Sequence, residues 1–123
     1  METEVKSDCN YVTEGGSRNA PTCFMDIYIN GIRWKLIFTS KSADLELGGT
    51  VRLGVTDKAN LTIFVNSSIR NSLLRKVLLH ELTHAYLYSY GYELDVLFEE
   101  LLCEFVDTHS DGIGALTDEI LDT

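Results

Sequence analysis

Beyond Lys76 the chain has no lysine or arginine, although Glu81 and ten acids between Glu93 and Asp122 lie in that half. A surface of that sign repels phosphate backbones, which excludes direct nucleic-acid binding there and favours a neutral or basic partner. Proline is nearly absent, Pro21 being the only one, so none interrupts the runs downstream. No apolar run approaches the roughly 20 residues needed to span a bilayer, and no membrane partner is expected. The start, Met1 to Asp8, is polar and acidic and does not read as a signal peptide. Three cysteines (Cys9, Cys23, Cys103) without C-x-x-C spacing read as reduced thiols of a cytoplasmic protein. What is present suits one compact domain: 123 residues, 45% apolar, net charge −9, with no internal repeat.

Residues 1–22, with Gly15-Gly16-Ser17 and Asn19-Ala20-Pro21, read as a loosely ordered N-terminal segment to which Cys9–Thr13 could add a short strand. Residues 23–123 form the domain. Phe24–Ile29 and Ile32–Phe38 alternate around Asn30-Gly31, the signature of a hairpin with a type I′ turn. Two further strand runs, Thr50–Val55 and Asn60–Val65, complete a short antiparallel meander of about four strands. Asn66-Ser67-Ser68 offers N-caps for a helix from Leu73 to about Tyr90, stopped at Gly91. Asp95 or a neighbour opens a second helix over Val96–Val106, Gly112 and Gly114 break it, and Ala115–Leu121 forms a short last helix. The fold class is α+β.

The first long helix carries His80-Glu81-Leu82-Thr83-His84. Residues four apart stack on one helical face, so both imidazoles reach one metal ion, with Glu81 beside them as a general base. Catalytic zinc commonly takes a third protein ligand. The metzincin continuation is absent, since Leu87 and Tyr90 stand where glycine and histidine belong. The second helix offers Glu99, Glu100 and Glu104, and His109 follows it. Glu100 and Glu104 share a face, which suits one carboxylate on the metal and the other on a ligand histidine's free N–H. Glu99 is the rival for the ligand role. Cys103 sits among Leu101, Leu102, Phe105 and Val106 and reads as a core thiol, as Trp34 reads as core cover.

Val77–Tyr86 and Glu99–Val106, with the upstream Leu47-Gly48-Gly49, Leu53–Asp57 and Leu61–Asn66, together resemble the small phage and prophage-type zinc metallopeptidases. These are minimal gluzincins related to the ImmA/IrrE-type proteases. The resemblance covers about residues 24–121. It implies a zincin-like domain with His80, His84 and Glu100 on Zn2+, Glu104 behind them, and Glu81 as base for a zinc-activated water that hydrolyses peptide bonds. It also implies that Leu61–Val65 is an edge strand pairing with an extended protein or peptide substrate. The helix-turn-helix region often joined to such proteases is missing. An oxyanion needs a further donor. His109 is the first candidate, with Tyr86, Tyr88 and Tyr92 behind it. The alternative is a catalytically silent zinc-binding module that regulates or binds other proteins.

Overall fold

The computed structural model describes residues 3–12 and 22–123, with side chains from Cys23 onward. Strands β1 (Thr3–Val12), β2 (Thr22–Ile29) and β3 (Ile32–Thr39) are followed by a one-turn helix, α1 (Ser42–Leu45). A two-stranded ribbon follows, β4 (Glu46–Leu47) with β5 (Thr50–Val51), then β6 (Gly54–Asp57) and β7 (Thr62–Asn66). Two long helices close the chain, α2 (Asn71–Ser89) and α3 (Val96–Leu121). Among the described residues, no helix is long and apolar enough to cross a membrane.

The main sheet has the order β1-β2-β3-β7-β6. Asn30 and Gly31 both have positive φ (52° and 75°), and Ile29 pairs with Ile32, so the hairpin turn is as predicted. The meander is not. β3 and β7 run parallel, with Leu36 opposite Ile63, and β6 turns back antiparallel on the far side of β7. The chain therefore crosses over before it lays down β7. That strand carries Ile63 and Val65, both fully buried, and an apolar strand of this kind gains most from an interior position. The edge belongs to β6, not to Leu61–Val65. The run Thr50–Val55 also divides, its first two residues pairing with β4 and its last two entering β6.

The expected loose N-terminus is corrected in part. Thr3–Val12 pairs antiparallel with β2, satisfying an edge that would otherwise present unpaired amides, while 13–21 lie outside the described residues. The expected reduced state is corrected at Cys23, which is disulfide-bonded, whereas Cys103 is a free buried thiol. Disulfides persist in oxidising compartments, so this bond does not support a cytoplasmic assignment.

One face of the sheet presents Ile27, Ile29, Trp34, Leu36, Ile63 and Val65 to α2, which packs down with Ala85, Leu74, Val77, Leu78 and Leu82. Two bonds pin the end of α2 to the hairpin: the Trp34 indole donates to Ser89 Oγ (2.8 Å), and the Asn30 amide donates to the Ser89 carbonyl (3.0 Å). α2 begins later than its expected caps. Asn66 instead accepts from the Ser68 amide and hydroxyl in a local turn, and the N-cap residue, Arg70, makes no side-chain cap. Its stop is as predicted. Gly91 takes φ 79°, Gly91 N–H donates to Tyr88 O and Tyr92 N–H to Leu87 O, a Schellman closure. Asp95 caps α3 by accepting from the Phe98 amide at 2.9 Å. The predicted break at Gly112 and Gly114 does not occur, and α3 runs 26 residues without interruption. Each glycine costs a helix only about 1 kcal/mol, and no proline is there to force an end.

Candidate metal centre

α3 runs back along α2, which brings its first turns against the H-E-x-x-H stripe. His80 Nδ1 lies 2.7 Å from Asp107 Oδ2, and His84 Nδ1 lies 2.5 Å from Glu99 Oε2. Ionised carboxylates only accept, so both Nδ1 atoms carry the proton, and in the neutral imidazoles both Nε2 atoms keep lone pairs. Those lone pairs aim at a third carboxylate. Glu100 Oε1 is 2.7 Å from His80 Nε2 and Glu100 Oε2 is 3.3 Å from His84 Nε2. Two acceptors facing a carboxylate at such distances repel unless a proton or a cation stands between them. A proton on Nε2 or a metal ion would each relieve that repulsion, and two imidazoles with a carboxylate are donors a metal ion can use.

Two lysines brace the outer carboxylates. Lys58, in the β6–β7 turn, donates to Glu99 Oε2 (2.8 Å), and Lys76, one turn before His80, donates to Asp107 Oδ1 (2.5 Å). Burial raises the Glu99 and Asp107 pKa values, but hydrogen bonds from Lys58 and His84, and from Lys76, His80 and Thr108, outweigh it and hold both groups below the ordinary carboxylate range. Burial depresses His80, yet its hydrogen bond to Asp107 and the charges of Glu81 and Glu100 win, and its pKa is raised.

No protein-family model, curated protein or solved structure matches this chain.

His80, His84 and Cys103 also form a cluster able to hold a metal ion, their ligand atoms lying within 4.8 Å of one another. Cys103 is fully buried, and its burial and the charges of Glu100, Glu99 and Glu81 push its thiol up to about 12. A metal takes the thiolate, and Glu100, half-exposed and open to the cleft, is the other donor at hand.

Glu81 is 7% exposed and turned toward β6, where Thr56 donates its hydroxyl to Glu81 Oε1 (2.7 Å). Gly54 makes the room: a Cβ there would stand 2.8 Å from Val77 Cγ1 and 2.9 Å from Glu81 Cγ. The histidines, Glu81, Glu99 and Glu100 open on a cleft of about 260 Å³ whose β6 side carries Gly54, Thr56 and Lys58, with Arg52 beside it.

Glu104 and His109 are not in this site. Glu104 is exposed, and the histidine nitrogens assigned to it are taken by Asp107 and Glu99. At about 100° per residue, Glu99, Glu100 and Asp107 fall within about 60° of Cys103, the buried centre of the α3 seam, while Glu104 is about 100° away and His109 about 120°. His109 is exposed and stacks on Phe105 instead, 4.9 Å between ring centroids. Tyr86, Tyr88 and Tyr92 do not line the cleft. Sequence reasoning gave no role to Asp107, Lys58, Lys76, Thr56 or Gly54. One signal was available for two of them: Lys76-x3-His80-x3-His84 on α2 faces Glu99-x3-Cys103-x3-Asp107 on α3, two stripes of matching period.

Proposed function

We propose that this chain is a zinc-dependent metalloendopeptidase of the gluzincin kind, a zincin-like minimal domain in which His80, His84 and Glu100 hold the metal. The observation that carries the reading is the convergence of both Nε2 atoms on the Glu100 carboxylate. Bound there, zinc supplies a Lewis acid that brings the pKa of a water to about 7. Glu81 is the general base, taking the attacking water's proton on its carboxylate and returning it to the departing amine. Thr56 fixes Glu81 Oε1, so the carboxylate presents one orientation to the cleft. Asp107 and Glu99 keep the Nδ1 protons in place and hold both rings at fixed angles. Arg52, in the cleft, takes the oxyanion role in place of His109. The peptide lies along β6, whose described pairing is with β7 alone, and its backbone adds a strand to that edge.

The test uses metal titration and a peptide-library assay on three proteins. Wild type is expected to bind one zinc and cleave, Glu81→Gln to bind zinc without cleaving, and His84→Ala to lose zinc. Zinc binding by wild type with no cleavage would assign the silent regulatory module instead. Absence of zinc binding by wild type would remove both.

A further inference from the structure

α3 has its polar face turned inward. Glu99, Glu100 and Asp107 face α2, and the opposite side carries Phe98, Leu101, Phe105, Ile113, Leu116 and Ile120, each more than half exposed. At about 100° per residue these six lie within about 60° of Phe98, so they form one continuous stripe, centred about 140° from Cys103. The helix also outruns its support. Arg75 pairs with Asp111 at 2.6 Å, and from Asp111 to the C-terminus every residue is exposed. A helix end of about three turns with no packing is marginal in water, so a stripe continuing onto it points to a surface that is covered in use.

The charges select the occupant. Glu104, Glu119 and Asp122 fall on one flank of the stripe, and none is in a salt bridge among the described residues. A second copy of this chain brings no lysine or arginine on either long helix beyond Lys76, so self-pairing sets acid against acid. We propose that the outer face of α3 docks an amphipathic helix of a partner protein, apolar on one face and edged with lysine or arginine.

The probe is a synthetic helical peptide with leucines on one face and lysines on its flanks, titrated against the full chain and compared with a glutamate-flanked peptide of the same apolar face. The lysine peptide is expected to bind and to weaken as salt rises, and the glutamate peptide is expected not to bind. Ile113→Glu with Leu116→Glu should weaken binding about tenfold or more with helicity retained by circular dichroism. Glu104→Lys with Glu119→Lys should shift preference toward the glutamate peptide. Failure of the lysine peptide to bind would overturn the proposal, as would equal binding of both peptides. So would sedimentation of the free chain as a stable dimer that Leu116→Glu dissociates, because the occupant would then be a second copy.

Discussion

Gly54→Ala is a one-methyl perturbation whose outcome the geometry around Glu81 decides. The backbone does not oppose it, since Gly54 is not in the left-handed region, and alanine alone would stabilise by about 0.4–1 kcal/mol through the unfolded chain. The obstacle is side-chain space. The new Cβ would sit 2.8 Å from Val77 Cγ1 and 2.9 Å from Glu81 Cγ. Val77 is β-branched and stiff, and Glu81 is tied to Thr56, so neither yields freely. Overpacking of this kind costs about 1–3 kcal/mol, leaving a net loss of about 0.5–2 kcal/mol. For a chain of this length that is a fall in Tm of roughly 2–10 °C by calorimetry. If Glu81 rather than Val77 gives way, turnover falls and zinc binding stays. Val77→Ala removes the closer obstacle, so the double variant should lose about 1 kcal/mol less than the two single losses added together. Strict additivity, or Gly54→Ala with wild-type Tm and turnover, would refute the close approach of β6 to Glu81.

Other expectations follow from the same contacts. Asp107→Asn and Glu99→Gln each replace the charged acceptor of a His80 or His84 Nδ1 proton with a neutral amide and should weaken zinc affinity about 10–100-fold, whereas Glu104→Gln should leave it unchanged in a competitive chelator titration. Cys103→Ser should keep zinc and Glu100→Gln should lose most of it, and the reverse result would move the third ligand to the thiol. In metal-free protein, Glu99 and Asp107 are depressed, so their contribution to stability is complete above the ordinary carboxylate range and is lost as pH falls through their lowered values. His80 is raised, so its contribution is present below the usual histidine value and is lost as pH climbs through the raised one. Denaturant midpoints against pH should therefore flatten on the acid side in Asp107→Asn. Peptide mapping after alkylation should label Cys23 only once the protein is reduced, and labelling without reductant would contradict its disulfide.

The parts legible from sequence were those set by local chemistry. Asn30-Gly31 dictates a two-residue turn because both positions need positive φ, and Gly91 dictates the end of α2 for the same reason. His80 and His84 share a face because the helix repeats every 3.6 residues. What was missed depends on long-range pairing. Nothing in Leu61–Val65 says that it inserts between β3 and β6, since an apolar run reads alike at an edge and in the interior. Glu104 and Asp107 are both acids within reach of the seam by spacing, and only the position of Cys103 against α2 settles which of them meets His80. Lys58 reaches Glu99 from 41 residues away, a pairing that no helical period encodes.

The composition of the C-terminal half has two consequences that belong together. Holding two imidazoles requires acids on the inner face of α3, and Glu99, Glu100 and Asp107 occupy the seam where a packed helix ordinarily places leucines. Three carboxylates beside one another repel, and Lys58 and Lys76 offset the outer two, leaving Glu100 to the cleft. The apolar residues that still give α3 its helical pattern are thereby displaced to the far side, where nothing in the described chain buries them. A partner helix on that side would supply the hydrophobic burial that α3 lacks on its own seam, and would steady the helix that carries Glu99, Glu100 and Asp107. Docking should therefore tighten zinc binding, and zinc should tighten docking by the same factor, because coupling between two sites is reciprocal. Zinc titrations with and without the lysine-flanked peptide measure that factor, and a value of one would show that the two faces of α3 act independently.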